Sequence, residues 1–226
     1  MTTMLTNNNV TLCGTVKGEP TFSHEVFGEK FYEVKLAVKR LSGMDDVLPV
    51  SVSEHLLCDK FADGNEVTVK GQFRSYNKIV GERSKLMLTV FVRDVEEFDP
   101  TVNPNTMQLS GYICKQPIYR TTPFNREICD LLVAVNRQYN KSDYIPCIVW
   151  GRNARFADKL AVGQHVEIVG RVQSRNYQKR LEDETVVTRT AYEVSVGKIT
   201  LVDDSAEAQP DTPTAEQQSA CDEANV

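Results

Sequence analysis

The sequence matches itself at a spacing of 97 residues. Gly14 and Gly111, Pro20 and Pro117, Phe27 and Phe124, Val38 with Arg40 and Val135 with Arg137, and Pro49 and Pro146 all keep that offset. The offset then becomes 99. Leu57 and Phe61 match Phe156 and Leu160, Gly64 matches Gly163, Gly71 matches Gly170, and Ser75 matches Ser174. A two-residue insertion in the later copy accounts for the change. So many matches in order mean two related units, each of which must fold on the same plan.

Each unit reads mostly as strand. Val10, Leu12 and Gly14 alternate with polar residues, residues 32–38 form a second run, and Leu48, Val50 and Val52 alternate with Pro49, Ser51 and Ser53. A short helical segment follows, with Leu57 and Phe61 on one face at i, i+4. Val67, Val69, Gly71 and Phe73 then alternate with Thr68, Lys70, Gln72 and Arg74, and residues 86–95 close the unit. The second unit repeats this order, with its helix over 153–160. Five strands with a helix between the third and fourth is the order of an OB-fold barrel. The expected fold class is therefore all-β: two tandem OB barrels, each with one short helix, followed by an acidic C-terminal tail expected to be disordered. The boundaries are 1–98 for the first unit, 99–105 for a proline-containing linker, 106–202 for the second unit and 203–226 for the tail.

Charge separates the parts. The whole chain is at −5, a sign that argues against nucleic acid until it is mapped. Residues 1–105 carry −3, residues 106–202 carry +5 and the tail carries −7 with no Lys or Arg. The second unit is thus basic, and its Arg137, Lys141, Arg152, Arg155, Arg171, Arg175, Lys179 and Arg180 gather around the second to fourth strands.

Strand parity places aromatics among these cations. Ile145, Cys147 and Val149 match the core positions Leu48, Val50 and Val52, so Tyr144 and Trp150 are expected to face outward. On the fourth strand Arg171, Gln173, Arg175 and Tyr177 share the outer face, and Tyr139 ends the second strand. Aromatic rings stack on any base, and cations neutralise the backbone, so Tyr139, Tyr144, Trp150 and Tyr177 are candidate stacking residues and Arg137, Arg152, Arg155, Arg171, Arg175, Lys179 and Arg180 are candidate phosphate contacts. In the first unit Ser42, Val47 and Ser53 occupy the matching places. There Tyr76, beside Arg74, is taken as the counterpart of Tyr177, and Arg40 joins Arg74 among the phosphate-contacting candidates. Weaker contact with nucleic acid is expected from that unit.

Nothing in the sequence points to catalysis. There is no ordered Ser/His/Asp set and no phosphate-cradling glycine-rich loop, and Asp45–Asp46 and residues 182–184 read as solvated turns. No catalytic residue, cofactor or metal is assigned. His24, His55 and His165 are too scattered for zinc, and the six cysteines form no CxxC pair and read as reduced, largely buried thiols. No run of 18 apolar residues exists and the first nine residues lack a signal core, so neither a membrane span nor export is expected. Protein interaction and RNA binding remain open as alternatives, because stacking and phosphate contacts do not read the sugar.

The second unit resembles bacterial single-stranded DNA-binding proteins. The likeness lies in Leu109-Ser110-Gly111, Pro117, 132–137, Tyr144-Ile145-Pro146-Cys147-Ile148-Val149-Trp150-Gly151 and Val169-Gly170-Arg171-Val172-Gln173-Ser174-Arg175-Asn176-Tyr177. The first unit, through residues 22–32 and Arg74-Ser75-Tyr76-Asn77, resembles the leading barrel of the tandem members from Firmicutes. The resemblance implies sequence-tolerant binding of single-stranded DNA in replication, recombination or repair, in a bacterial cytoplasm at the nucleoid. It implies a homodimer presenting four barrels, and contacts with replication or repair proteins through the tail. The tail departs from the family pattern: it ends in Asp222-Glu223-Ala224-Asn225-Val226 rather than an acidic run closed by Pro-Phe.

Overall fold

A computed structural model of the chain describes residues 7–80, 83–180 and 184–203. The acidic segment from residue 204 on, including Cys221, and Glu182 and Asp183 of the 182–184 turn lie outside the described residues.

The first unit runs β1 (Asn8–Val26), β2 (Glu29–Lys39), β3 (Asp45–Ser53), a single 3-10 turn (Asp59–Phe61), β4 (Glu66–Val80) and β5 (Arg83–Glu96). Its strands are ordered β2-β3-β5-β4-β1, and β1 pairs back onto β2 to close the barrel. The β3–β5 pairing is parallel and the others are antiparallel. The second unit runs β6 (Asn105–Ile113), β7 (Ile118–Thr121), β8 (Glu127–Arg137), β9 (Lys141–Trp150), α1 (Arg152–Ala157), β10 (His165–Arg180) and β11 (Val186–Val202). Closure is by β6 on both β10 and β8, with a parallel β9–β11 pair in the place of β3–β5. Both units are OB barrels. The helix slot is filled differently: the first unit keeps only the 3-10 turn, which still buries Phe61, and α1 is shorter than the sequence pattern predicts.

The repeated glycines mark where strands cross closely. A β-carbon on Gly14 or Gly111 would lie under 3.0 Å from the carbonyl oxygen of Ala37 or Ala134, and one on Gly71 or Gly170 would meet Phe91 or Ser195 just as closely. Both bulges opposite Gly71 and Gly170 recur, so the barrel bends at equivalent points. A repeated asparagine extends each ladder. Asn8 exchanges two hydrogen bonds with the backbone of Phe73 (2.8 and 2.9 Å), and Asn105 does the same with Val172 (2.7 and 2.9 Å). Asn105 therefore belongs to β6 and is buried, not to an extended linker as the sequence reading placed it. The turn before it is set by Asp99, whose carboxylate accepts the N–H (2.8 Å) and hydroxyl (2.6 Å) of Thr101.

Pairing of β1 with β6 joins the units into one sheet of 11 strands. Val10 stands opposite Met107, its own repeat partner, with Asn8 opposite Leu109 and Leu12 opposite Asn105. A local two-fold axis therefore passes through the Val10–Met107 pair. One hydrophobic cluster extends across both barrels. Among the described cysteines Cys13, Cys129 and Cys147 are buried, Cys114 is half-buried and Cys58 is exposed, all as free thiols.

Candidate nucleic-acid interface

The local two-fold sets up two equivalent polar junctions between the units. In one, Asp46 of β3 accepts the backbone N–H (2.6 Å) and hydroxyl (2.9 Å) of Ser174 on β10. Arg40 clamps the same carboxylate at 2.7 and 2.5 Å and donates to the Ser174 carbonyl at 2.7 Å, while Arg171 stands 3.4 Å away. In the other, Asp143 of β9 accepts the Ser75 N–H at 2.7 Å, and the Ser75 hydroxyl accepts the Tyr144 N–H at 2.8 Å. Arg137 lies 3.2 Å from Asp143, too poorly aligned for a hydrogen bond.

The two junctions differ in electrostatic balance. Burial pushes the Asp46 carboxyl upward, but the Arg40 and Ser174 hydrogen bonds outweigh it and hold the group below its ordinary value. At Asp143 burial wins and the value rises despite Arg137 and Arg74. Asp46 is therefore a buried strand residue at a junction, not the solvated turn that the sequence pattern indicated. The arginine it fixes first, Arg40, is structural here and does not stand free for phosphate.

Ser75 and Ser174 occupy equivalent sites, so Tyr76 is equivalent to Arg175 and Tyr177 to Lys78. This corrects the pairing of Tyr76 with Tyr177. Of the outer aromatics expected in the second unit, Tyr139 is 92% exposed and sits in the β8–β9 turn with φ of 64°. Trp150 is 38% exposed and Tyr177 is half-buried, with the Arg175 guanidinium 5.8 Å from its ring centre. Tyr144 departs from the expectation: it faces outward by parity yet is only 9% exposed, packed with Leu132, Ala134 and Cys114. Parity fixes the side of the sheet but not what neighbouring segments lay across it.

The cations are similarly divided. Arg155 is paired with Glu127 at 2.8 Å, Arg171 lies between Asp46 and Gln173, and Arg175 has Glu193 at 3.7 Å. Arg152 and Arg180 are exposed, and the Lys179 side chain lies outside the described residues.

What the sequence pattern missed is a groove in the first unit. It measures about 720 Å³ and runs between the β1–β2 hairpin and the start of the β4–β5 hairpin. Phe31 and Phe91 form its floor with ring centres 5.6 Å apart, and His24 stacks on Phe31 at 5.1 Å. The Arg74 guanidinium lies 3.9 Å over the Phe91 ring, and Arg93 approaches the same ring at 5.1 Å. Tyr76 lines one wall and the exposed Phe27 the other. Phe27 has φ of 51° and Gly28 φ of 82°, a two-residue hairpin turn that costs a bulky residue backbone strain. Two carboxylates, Glu29 and Glu33, also line the groove; Glu29 accepts a hydrogen bond from the Ser53 hydroxyl. The apolar floor thus suits base faces, with phosphates toward Arg74 and Lys78. Phe91 carries no repeat signal, because its equivalent in the second unit is Ser195.

Residues 104–202 match the model of the single-strand binding protein family. The chain is 33% identical over 91 residues to single-stranded DNA-binding protein 1 of Lactococcus lactis, a match covering 37% of this chain and 61% of that protein. It is 31% identical over 96 residues to single-stranded DNA-binding protein 3 of Streptococcus agalactiae, covering 39% of this chain and 70% of the relative. The chain belongs to the single-strand binding protein family. It spans only half the length of two Staphylococcus aureus relatives. A solved mutant of the single-stranded DNA binding protein from Thermus aquaticus superposes with a TM-score of 0.66 at 18% identity, covering 88% of this chain and 96% of that one. That likeness shows that the paired-barrel fold extends over both units. No helix among the described residues is long and apolar enough to cross a membrane, and none of their His, Cys, Asp or Glu side chains form a group of three placed to hold a metal.

Proposed function

We propose that this chain binds single-stranded DNA without sequence preference and without catalysis, protecting it during replication, recombination or repair. The observation that carries this reading is the first-unit groove, in which Phe91 rests on the buried Phe31 as an apolar floor and Tyr76 stands exposed on the wall beside Arg74. The second unit adds Tyr139, Trp150 and Tyr177, with Arg175 beside the last. Rings that take any base, set next to cations that take any phosphate, give tolerance of sequence. Family membership and the names of the relatives support the same reading.

Trp150 is the sole tryptophan, so its fluorescence reports binding. Oligo(dT) titrated at two salt concentrations should quench it, and each neutralised phosphate should contribute about −0.7 to the slope of log K against log salt. Parallel titrations with oligo(rU) and duplex DNA should bind more weakly. Equal affinity for the duplex, or tight binding with no salt dependence, would overturn the reading.

The working assembly we propose is a homodimer with four barrels, acting in the bacterial cytoplasm at the nucleoid. Light scattering of the full chain should give twice the 25.4 kDa monomer mass; a monomer mass refutes it. In this proposal the acidic segment after residue 203 competes with DNA for the basic faces and offers replication or repair proteins a contact.

A further inference from the structure

We propose that the single strand crosses between the two barrels on one side only, through a phosphate seat built from Arg74 and Arg93 of the first unit and Arg137 and Lys141 of the second. This inference rests on the reading of the chain as a single-strand binder and specifies its route.

The seat is a cleft of about 510 Å³ at the junction of the units. It opens at one end on Tyr139 and shares Arg74 and Arg137 with the aromatic groove of the first unit. A strand passing over these arginines therefore moves from the first-unit rings to Tyr139 along a row of cations. Among the described residues Arg74, Arg93 and Lys141 have no ion pair, and Asp143 is the one carboxylate against Arg137. Burial first, and then repulsion from Arg93 and Arg137, push the Arg74 guanidinium down to about 10, and Asp143, the carboxylate these arginines share, offsets this only in part. A phosphodiester placed here would relieve that repulsion and meet guanidinium forks suited to paired oxygens.

The local two-fold supplies an internal comparison. At the equivalent positions across the axis Gln173 replaces Arg74, the bulge residue Gly197 replaces Arg93, and Met44 replaces Lys141. Glu193 stands where the first unit has Thr89, buried and holding the Gln173 amide at 2.7 Å. The two guanidinia present there, Arg40 and Arg171, both face Asp46. One cleft is thus a cluster of cations short of counter-charge, and its twin is closed by its own carboxylates.

The test compares two full-length double variants with the same change of net charge. Arg74→Gln with Arg93→Gln removes the seat; Lys39→Gln with Lys198→Gln removes two exposed cations near the twin cleft, the second of them beside Gly197. Each is titrated with an oligo(dT) long enough to cover both units, at several salt concentrations, and melting curves check that each is folded. The first variant should lose two phosphate contacts, making the salt slope shallower by about 1.4 and weakening binding roughly tenfold at physiological salt. The second should leave the slope within about 0.7 of the parent. Equal losses in the two variants, or an unchanged slope in the first, overturn the proposed route. Should Arg74→Gln unfold the chain, Arg93→Gln with Lys141→Gln, neither of them ion-paired, serves in its place with the same expectation. Failure of the parent itself to bind oligo(dT) refutes the underlying function instead, so the two failures are distinguishable.

Discussion

Replacing Phe91 and Tyr76 together by alanine is expected to weaken oligo(dT) binding by about 2–4 kcal/mol, because each stacked base contributes roughly 1–3 kcal/mol. That is a loss of about thirtyfold to thousandfold. The two rings differ in their other duties. Phe91 lies under Arg74 and against Phe31, so its loss also releases a guanidinium held flat over the groove. Tyr76 is 43% exposed on the wall and its removal leaves the floor standing. Fluorescence anisotropy of labelled oligo(dT), read beside a melting curve, separates lost contact from lost fold. A double variant that melts like the parent and binds within twofold of it would remove the first unit from the interface. Trp150→Ala provides the reference from the second unit; comparable losses mean that both barrels hold the strand.

The second large effect is on stability. Asp46→Asn is expected to cost about 3 kcal/mol, since breaking a buried charge pair leaves its partner without compensation. Arg40 would keep its bond to the Ser174 carbonyl but lose the paired charge and one of its two carboxylate oxygens, and the Ser174 N–H would compete for an amide with half the acceptor capacity. The equivalent change, Asp143→Asn, should stay within about 1 kcal/mol of the parent, because burial already disfavours its charge and Arg137 is poorly aligned. Guanidinium unfolding of both variants measures the difference.

The pH dependence follows with opposite signs. Asp46 has a folded value below its ordinary 3.8. Its contribution is complete above that value and is lost as pH falls through the folded one. Asp143 has a folded value above 3.8, so its ionisation opposes folding, and stability rises as pH falls through that folded value toward 3.8. The parent should therefore gain slightly on mild acidification before it loses. Asp143→Asn should reduce the gain to the part that Glu193, also raised by burial, contributes, and Asp46→Asn should soften the loss. A loss from neutrality downward with no gain, unchanged in Asp143→Asn, would contradict the assignment.

Much of this architecture is legible in the sequence because repetition is a global signal. The glycines at 14, 71, 111 and 170 occur where the barrel forces two backbones together, so the two offsets could be read without knowing the fold. Alternation likewise identified the core faces of β3 and β9 correctly. What escaped depends on contacts between segments distant in sequence. Asp46 looks like a turn residue because its partner, Ser174, is 128 residues away. Tyr144 looks exposed because Leu132 on β8 and Cys114 just after β6, which pack on it, lie in other segments. Phe91 shares a strand face with Thr89 and Arg93 in a run with no aromatic period, and becomes a floor only when Phe31 and Arg74 are brought over it.

The β1–β6 pairing has a further consequence. Because a short covalent connection holds the two strands in reach of each other, their association is intramolecular, with an effective concentration fixed by the connection and not by how much protein is present. Pairing between separate chains weakens on dilution; this one does not. A single chain at vanishing concentration still presents both barrels, and the two halves, encoded separately, are free to diverge. Identical subunits about a two-fold must place the same residues on both sides of the axis. A tandem chain can place arginines on one side and carboxylates on the other, which gives a polymer lying across it a direction.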